Sequence, residues 1–113
     1  MSNWTFLTNH AHVLLCIARD PGLRLRDIAD IVGITERAAQ HIVNELVDDG
    51  YVSRARVGNR NTYEIHPELP FRIAMMRHRE IGGLLALLGN GLNLYPSRPR
   101  AAQEPAETPD RLA

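Results

Sequence analysis

The sixteen residues from Thr35 to Gly50, TERAAQHIVNELVDDG, constrain this chain more than any other stretch. Ala39, Ile42, Val43, Leu46 and Val47 recur at the spacing of one helix face, while Arg37, Gln40, His41 and Asn44 fall on the other. The Thr35 hydroxyl can accept from the free amides of a first helical turn, and Glu36 complements the positive end of the helix dipole. Gly50 supplies a left-handed stop. The pattern predicts a helix over 36–49 with one apolar and one polar side, and such a helix has to be covered by its neighbours.

Those neighbours are short and sharply punctuated. Thr8 or Asn9 can cap a helix running to about Arg19, with Ala11, Leu14, Leu15 and Ala18 on one face and Pro21-Gly22 as its end. Leu23 and Leu25 flank Arg24 in what reads as a short strand. Ile28, Ala29, Ile31 and Val32 then fit a second short helix closed by Gly33. After Gly50, YVSRAR and NTYEIH alternate as two strands of a hairpin, joined through Val57-Gly58-Asn59-Arg60. The expected order is helix, short strand, helix, tight turn, helix, two-stranded hairpin. The fold class is α+β, mainly helical: a winged helix-turn-helix domain with an additional C-terminal helix and a disordered tail.

The same residues carry a family likeness. The stretch RDIADIVGITERAAQHIVNELVDDGYVSRARVGNRNTYEIH resembles the DNA-binding core of small MarR-like winged helix-turn-helix transcriptional regulators of bacteria and archaea. The likeness spans about residues 8 to 66, and its most specific pieces are ADIVGIT, ELVDDGYV and RARVGNRNTY. It implies a DNA-binding regulator, with repression by promoter occlusion as the simplest mode for so small a chain. Winged helices also serve as protein-binding modules, so the exposed side chains have to carry the argument for DNA.

On the 36–49 helix, Arg37, Gln40 and Asn44 lie at i, i+3 and i+7 with His41 beside them. Arg reads guanine, and Asn or Gln reads adenine, through paired hydrogen bonds in the major groove. Thr35 and the open amides at the helix start can hold a phosphate. In the hairpin, Arg54, Arg56 and Arg60 stand without an acid between Tyr51 and Thr62. Arg60 is expected at the minor groove or its flanking phosphates and Arg56 on the backbone, whereas Arg54 is as well explained by a surface ion pair. The expected DNA-binding residues are therefore Thr35, Arg37, Gln40, His41, Asn44, Arg56 and Arg60. Wing-tip arginine is what the resemblance implies as well.

Charge limits how such binding can work. The chain has 13 basic residues, all arginine, against 13 acids, and residues 1–66 alone hold seven Arg against eight Asp plus Glu, a net of −1. Bulk attraction to DNA is absent, so affinity has to come from placement and from linking two domains in a dimer. Asp48 and Asp49 fall at the far end of the third helix, and Asp27 and Asp30 belong to the second.

Three zones are expected: a winged-helix domain over 3–66, a C-terminal helical segment over 67–95 and a disordered tail over 96–113. In the second zone Ile73, Met76, Ile81, Leu84, Leu85 and Leu88 are compatible with an amphipathic helix after Phe71, interrupted by Gly82-Gly83. Those glycines would permit a close backbone approach or a break into two shorter helices. The expectation is a homodimer built on this helix, with helix 1 and Trp4 and Phe6 contributing; the alternative is that the helix folds back on its own domain. The tail holds four of the seven prolines and one large aliphatic residue, Leu112, too little apolar surface to offset its ordering entropy.

Other functions find less support. The start, MSNWTFLTNH, does not read as a secretory signal, and no stretch reaches the roughly 18 consecutive apolar residues of a spanning helix. Arg72, Arg77 and Arg79 precede the apolar run rather than lining its opposite face, which argues against an interfacial membrane helix. The expected location is the cytoplasm. Cys16 is the one cysteine and sits mid-helix among apolar residues, where a buried thiol is the ordinary reading; His12 with Cys16 gives two ligands, short of a metal site. No phosphate loop or nucleophile motif occurs, and no cofactor, metal or defined small-molecule effector is implied. The chain reads as a DNA-binding protein rather than an enzyme, with a protein-interaction module as the alternative.

Overall fold

Two of the helices begin at a threonine cap and two end at a left-handed glycine. The computed structural model describes residues 4–89. Helix α1 (Asn9–Arg19) is capped by Thr8, whose hydroxyl accepts from the Ala11 amide at 3.3 Å. Helix α2 (Leu25–Val32) has no side-chain cap at Arg24, but its end is closed at Gly33 (φ 87°), where the Gly33 and Ile34 amides both donate to the Ala29 carbonyl. Helix α3 (Glu36–Asp48) starts at Thr35, which accepts from the Ala38 amide at 3.0 Å. It ends on Gly50 (φ 87°), with Tyr51 N–H on the Leu46 carbonyl and Gly50 N–H on that of Val47, the paired bonds of a Schellman motif.

The hairpin follows directly. Strands β1 (Val52–Val57) and β2 (Arg60–Ile65) pair antiparallel, from Val52 opposite Ile65 to Val57 opposite Arg60. The turn is two residues, Gly58 and Asn59, one shorter at each side than the sequence suggested. Gly58 has φ 65°, a backbone shape its missing side chain permits, and this lets Val57 and Arg60 join the ladder.

Two local expectations are corrected. Leu23–Leu25 is not a strand: among the described residues the sheet has two strands, and Leu25 is the first residue of α2. The donors a ladder would need are absent or used, since Pro21 has none, Gly22 N–H goes to Asp20 Oδ1, and Leu23 N–H goes to the Asp20 carbonyl. A single backbone bond, Tyr63 N–H to the Pro21 carbonyl at 3.3 Å, ties this turn to the edge of β2. On α1 the core face is rotated from the expected one: Val13 and Ile17 are fully enclosed, whereas Ala18 is exposed. Leu14 and Leu15 are buried as expected.

The core lies between the three helices and the base of the hairpin. Val13 and Ile17 of α1, Ile28 of α2, and Ile42, Val43 and Leu46 of α3 meet Val52 and Tyr63 of the strands. Burying side chains of this size stabilises by about 1.5–3 kcal/mol each before entropy is counted. The element order is that of a winged helix-turn-helix, as the sequence led one to expect.

No continuous helix follows Phe71. A single 3-10 turn spans Ala74–Met76, and helix α4 (Ile81–Gly89) begins ten residues after Phe71. Ile81 is buried, Leu85 packs against the core from α4, and α4 lies on α1. The break therefore falls before the glycines, and Gly82 serves a close approach instead: a Cβ there would stand 3.0 Å from both Cβ and the carbonyl oxygen of Pro67. The segment thus folds back on its own domain through Ile81 and Leu85, while Leu87 stays 78% exposed. Trp4 and Phe6 stack edge to face at 5.0 Å and are both exposed. The tail expected over 96–113 lies outside the described residues.

Candidate nucleic-acid interface

The stripe that buries Ala39, Ile42, Val43 and Leu46 turns the other side of α3 to solvent. Arg37, His41 and Asn44 are exposed there and Gln40 is half-buried. Arg37 makes no side-chain hydrogen bond or ion pair with another described residue, so its full fork of donors is open. Gln40 and Asn44 are bonded one turn apart: Gln40 Nε2 donates to Asn44 Oδ1 at 3.1 Å. Thr35 is exposed, and its oxygen is already the acceptor for the Ala38 amide. Its hydroxyl proton remains free to donate.

The wing reaches this face through a residue whose role the sequence left open. Arg54 donates to Asn44 Oδ1 at 2.7 Å, so the expected alternative of a surface ion pair is replaced by a hydrogen bond between β1 and α3. Asn44 Oδ1 is therefore shared by Gln40 and Arg54. Strand alternation explains the reach: Val52, Arg54 and Arg56 share one pleat face, Val52 at the core end and the arginines beyond it. Arg56 is exposed and has no side-chain partner among the described residues. By register Arg60 pairs with Val57 and lies on the other face, where its guanidinium donates to the Gly22 carbonyl at 2.5 Å. The expected residues thus divide in two. Thr35, Arg37, Gln40, His41, Asn44 and Arg56 lie on α3, its cap and the near side of the wing, with Arg54 joining them, while Arg60 stands at the turn between α1 and α2.

The far end of α3 has its own charge network. His10 Nε2 of α1 lies 2.7 Å from Glu45 Oε1, and His41 Nε2 lies 3.5 Å from Glu45 Oε2. The His10 hydrogen bond, with His41 and Arg72 nearby, holds the Glu45 carboxyl below its ordinary range against a smaller opposing effect of burial. Arg72 pairs with Asp49 at 2.9 Å. Sequence spacing could suggest His41 to Glu45 as an i, i+4 pair, but His10 is 35 residues away and had no local signal. Between these groups, α1 and α4 lies a groove of about 430 Å³, floored by Leu14, Leu46, Tyr51, Phe71 and Ile81.

Cys16 is buried, and loss of water around it pushes its thiol above the ordinary value, which disfavours the reactive thiolate. Among the described residues no three His, Cys, Asp or Glu side chains are grouped to hold a metal ion, and no helix is long and apolar enough to cross a membrane.

Comparison with known proteins covers part of the chain. Residues 8–53 match the family described as winged helix-turn-helix DNA-binding, a non-enzyme class. The chain is similar to the HTH-type transcriptional regulator PetP of Rhodobacter capsulatus, with 31% identity over 67 residues. That match takes in 59% of this chain but 40% of PetP, so the chain spans well under half of that relative's length. Among solved structures it is similar to the zinc-dependent MarR family transcriptional regulator AdcR in its Zn(II)-bound state, with a TM-score of 0.42 and 16% identity over 57% of this chain and 47% of that one. The winged-helix resemblance drawn from ADIVGIT and ELVDDGYV agrees with the family match, which ends at residue 53, before RARVGNRNTY, and the relative is itself a transcriptional regulator of the HTH type.

Proposed function

From a chain whose residues 8–53 match the winged helix-turn-helix DNA-binding family, we propose a sequence-specific regulator of transcription that binds double-stranded DNA as a homodimer and represses by occluding its site. Helix α3 enters the major groove, and the hairpin lies on the minor groove or the phosphate backbone. The observation that carries this is the open face of α3: Arg37 unpartnered, His41 beside it, and Gln40 and Asn44 aligned by a hydrogen bond.

Roles follow from the chemistry. Arg37 reads a guanine edge by two hydrogen bonds. Gln40, Asn44 and His41 contact neighbouring edges or phosphates, with Asn44 oriented by Arg54. Thr35 donates its hydroxyl proton to a phosphate at the helix start. Arg56 and Arg60 hold the backbone on either side of the wing, Arg60 through the donors it does not spend on Gly22. Asp48 and Asp49 lie at the far end of α3, whereas Glu45 stands 3.5 Å from His41.

Selection from a random oligonucleotide pool tests the reading. An enriched motif with two-fold symmetry is expected, its half-sites about one helical turn or a multiple apart. Arg37→Ala should lower affinity for the selected site by about ten- to a hundredfold and relax the preference at one base pair. Arg60→Ala should weaken selected and unrelated DNA alike. Folded protein that enriches no sequence would instead favour a protein-interaction module.

A further inference from the structure

Residues 71–79 leave the domain and return to it as a closed loop. Phe71 N–H donates to the Arg79 carbonyl at 3.1 Å, Ile81 N–H to the Leu69 carbonyl at 2.8 Å, and Pro70 and Glu80 form a bridge at the neck. With its ends held together, this is an Ω-loop, ordered by backbone bonds rather than by burial. Every residue from Arg72 to Glu80 is exposed, and the apolar ones with them: Ile73 is 49% and Met75 73% accessible, and Met76 stands among the exposed residues. Arg72 is paired with Asp49, whereas Arg77 and Arg79 have no ion pair among the described residues.

The loop is not part of the proposed DNA surface. Tyr51 O–H donates to the Pro70 carbonyl, and Arg72 reaches Asp49, so the neck is fastened at the C-cap of α3 and the residue just before β1. The start of α3 lies about 20 Å from there at ~1.5 Å per residue, and the wing turn is about as far along β1 at ~3.3 Å per residue. A molecule on this loop and a duplex on α3 need not compete.

Its chemistry selects a partner. Two free guanidiniums complement carboxylates, which they bind in a two-pronged fashion. Methionine side chains are flexible and polarisable, and they fit apolar ridges of varied shape. Phosphate chains would leave Ile73, Met75 and Met76 without a counterpart. A lipid surface is met by an amphipathic helix, and here the regular structure is a single turn of three residues, Ala74–Met76. We propose that the loop from Pro70 to Glu80 is a docking surface for an acidic amphipathic segment of a partner protein, engaged by Arg77 and Arg79 around Met75 and Met76.

The test uses the full chain and a fluorescein-labelled helical peptide of about 14 residues bearing Glu and Leu at helical spacing. Anisotropy should rise on binding, and less so for versions with Lys in place of Glu or Ser in place of Leu. Arg77→Glu with Arg79→Glu, and separately Met75→Ser with Met76→Ser, should each weaken peptide binding at least about tenfold. All four side chains are exposed, so circular dichroism should show parental folding, and affinity for DNA should not change. The proposal is overturned if both variants bind the peptide as the parent does, or if the Ser peptide binds as well as the Leu one. Sedimentation with phosphatidylglycerol vesicles in the absence of peptide binding would reassign the loop to a lipid surface. Loss of DNA affinity on charge reversal would reassign it to the duplex, a result separable from failure of α3 itself, which Arg37→Ala reports.

Discussion

Single side chains in this protein often answer to two partners, and Glu45 shows what that does to pH dependence. Its carboxylate accepts from His10 and faces His41, and its folded pKa lies below the ordinary 4.5. A group whose pKa is lowered on folding stabilises fully above its unfolded value and loses that contribution as pH falls through the folded one. Glu45→Gln should therefore reduce the loss of stability as pH falls below the ordinary carboxylate value, measured as the shift in urea midpoint. The carboxylate is half-exposed, so water screens the effect and keeps it small. At this scale the sequence disclosed residue types but not partners. Arg37, Gln40, His41 and Asn44 were legible as one face because helical spacing alone decides it. The bond from Arg54 to Asn44 and that from Arg60 to Gly22 depend on strand register and on chain 38 residues distant, which no local pattern encodes.

Element boundaries were legible where a single residue's chemistry sets them. Thr8, Gly33, Thr35 and Gly50 act at the positions read from sequence because a hydroxyl cap or a left-handed glycine works locally. The start of α2 at Leu25 was not, since an apolar residue beside a proline turn fits a strand equally well. Nor was the orientation of α1, where Val13 and Ile17 rather than Ala18 face the core, because only the packed partners decide among adjacent apolar residues. Helix α4 offers a paired test of helix preference against packing. At Gly83 an added Cβ meets nothing within 4 Å, so Gly83→Ala should stabilise by up to about 1 kcal/mol. Gly82→Ala gains the same preference but drives Cβ to 3.0 Å from the Pro67 backbone, so it should lower the thermal midpoint and loosen α4 from α1. The opposite signs of the two changes, read from urea or thermal unfolding, check the close approach directly.

For the molecule as a whole, even charge makes binding a matter of arrangement. The 13 arginines balance 13 acids, yet Arg37, Arg54 and Arg56 gather at one end of the fold while Glu45, Asp48 and Asp49 lie toward the other end of α3. The proposed dimer, making about six phosphate contacts, should lose about a thousandfold in affinity between ~50 and ~200 mM salt. Sedimentation equilibrium should find a dimer at micromolar concentration, and a monomer with and without DNA would remove that part of the proposal. Leu87 and Leu88 of α4, with Trp4 and Phe6, are exposed apolar residues that it could bury. The neck at Pro70 and Glu80 has a different kind of consequence. Because chain enters and leaves there at one point, the fold's path would be unchanged if the residues between Phe71 and Glu80 were fewer, more numerous or wholly different in kind. Replacing 72–79 by a short turn, with Phe71 kept against the core, should leave the remaining domain folded, so that a new partner could be accommodated there without redesigning the part proposed to meet DNA.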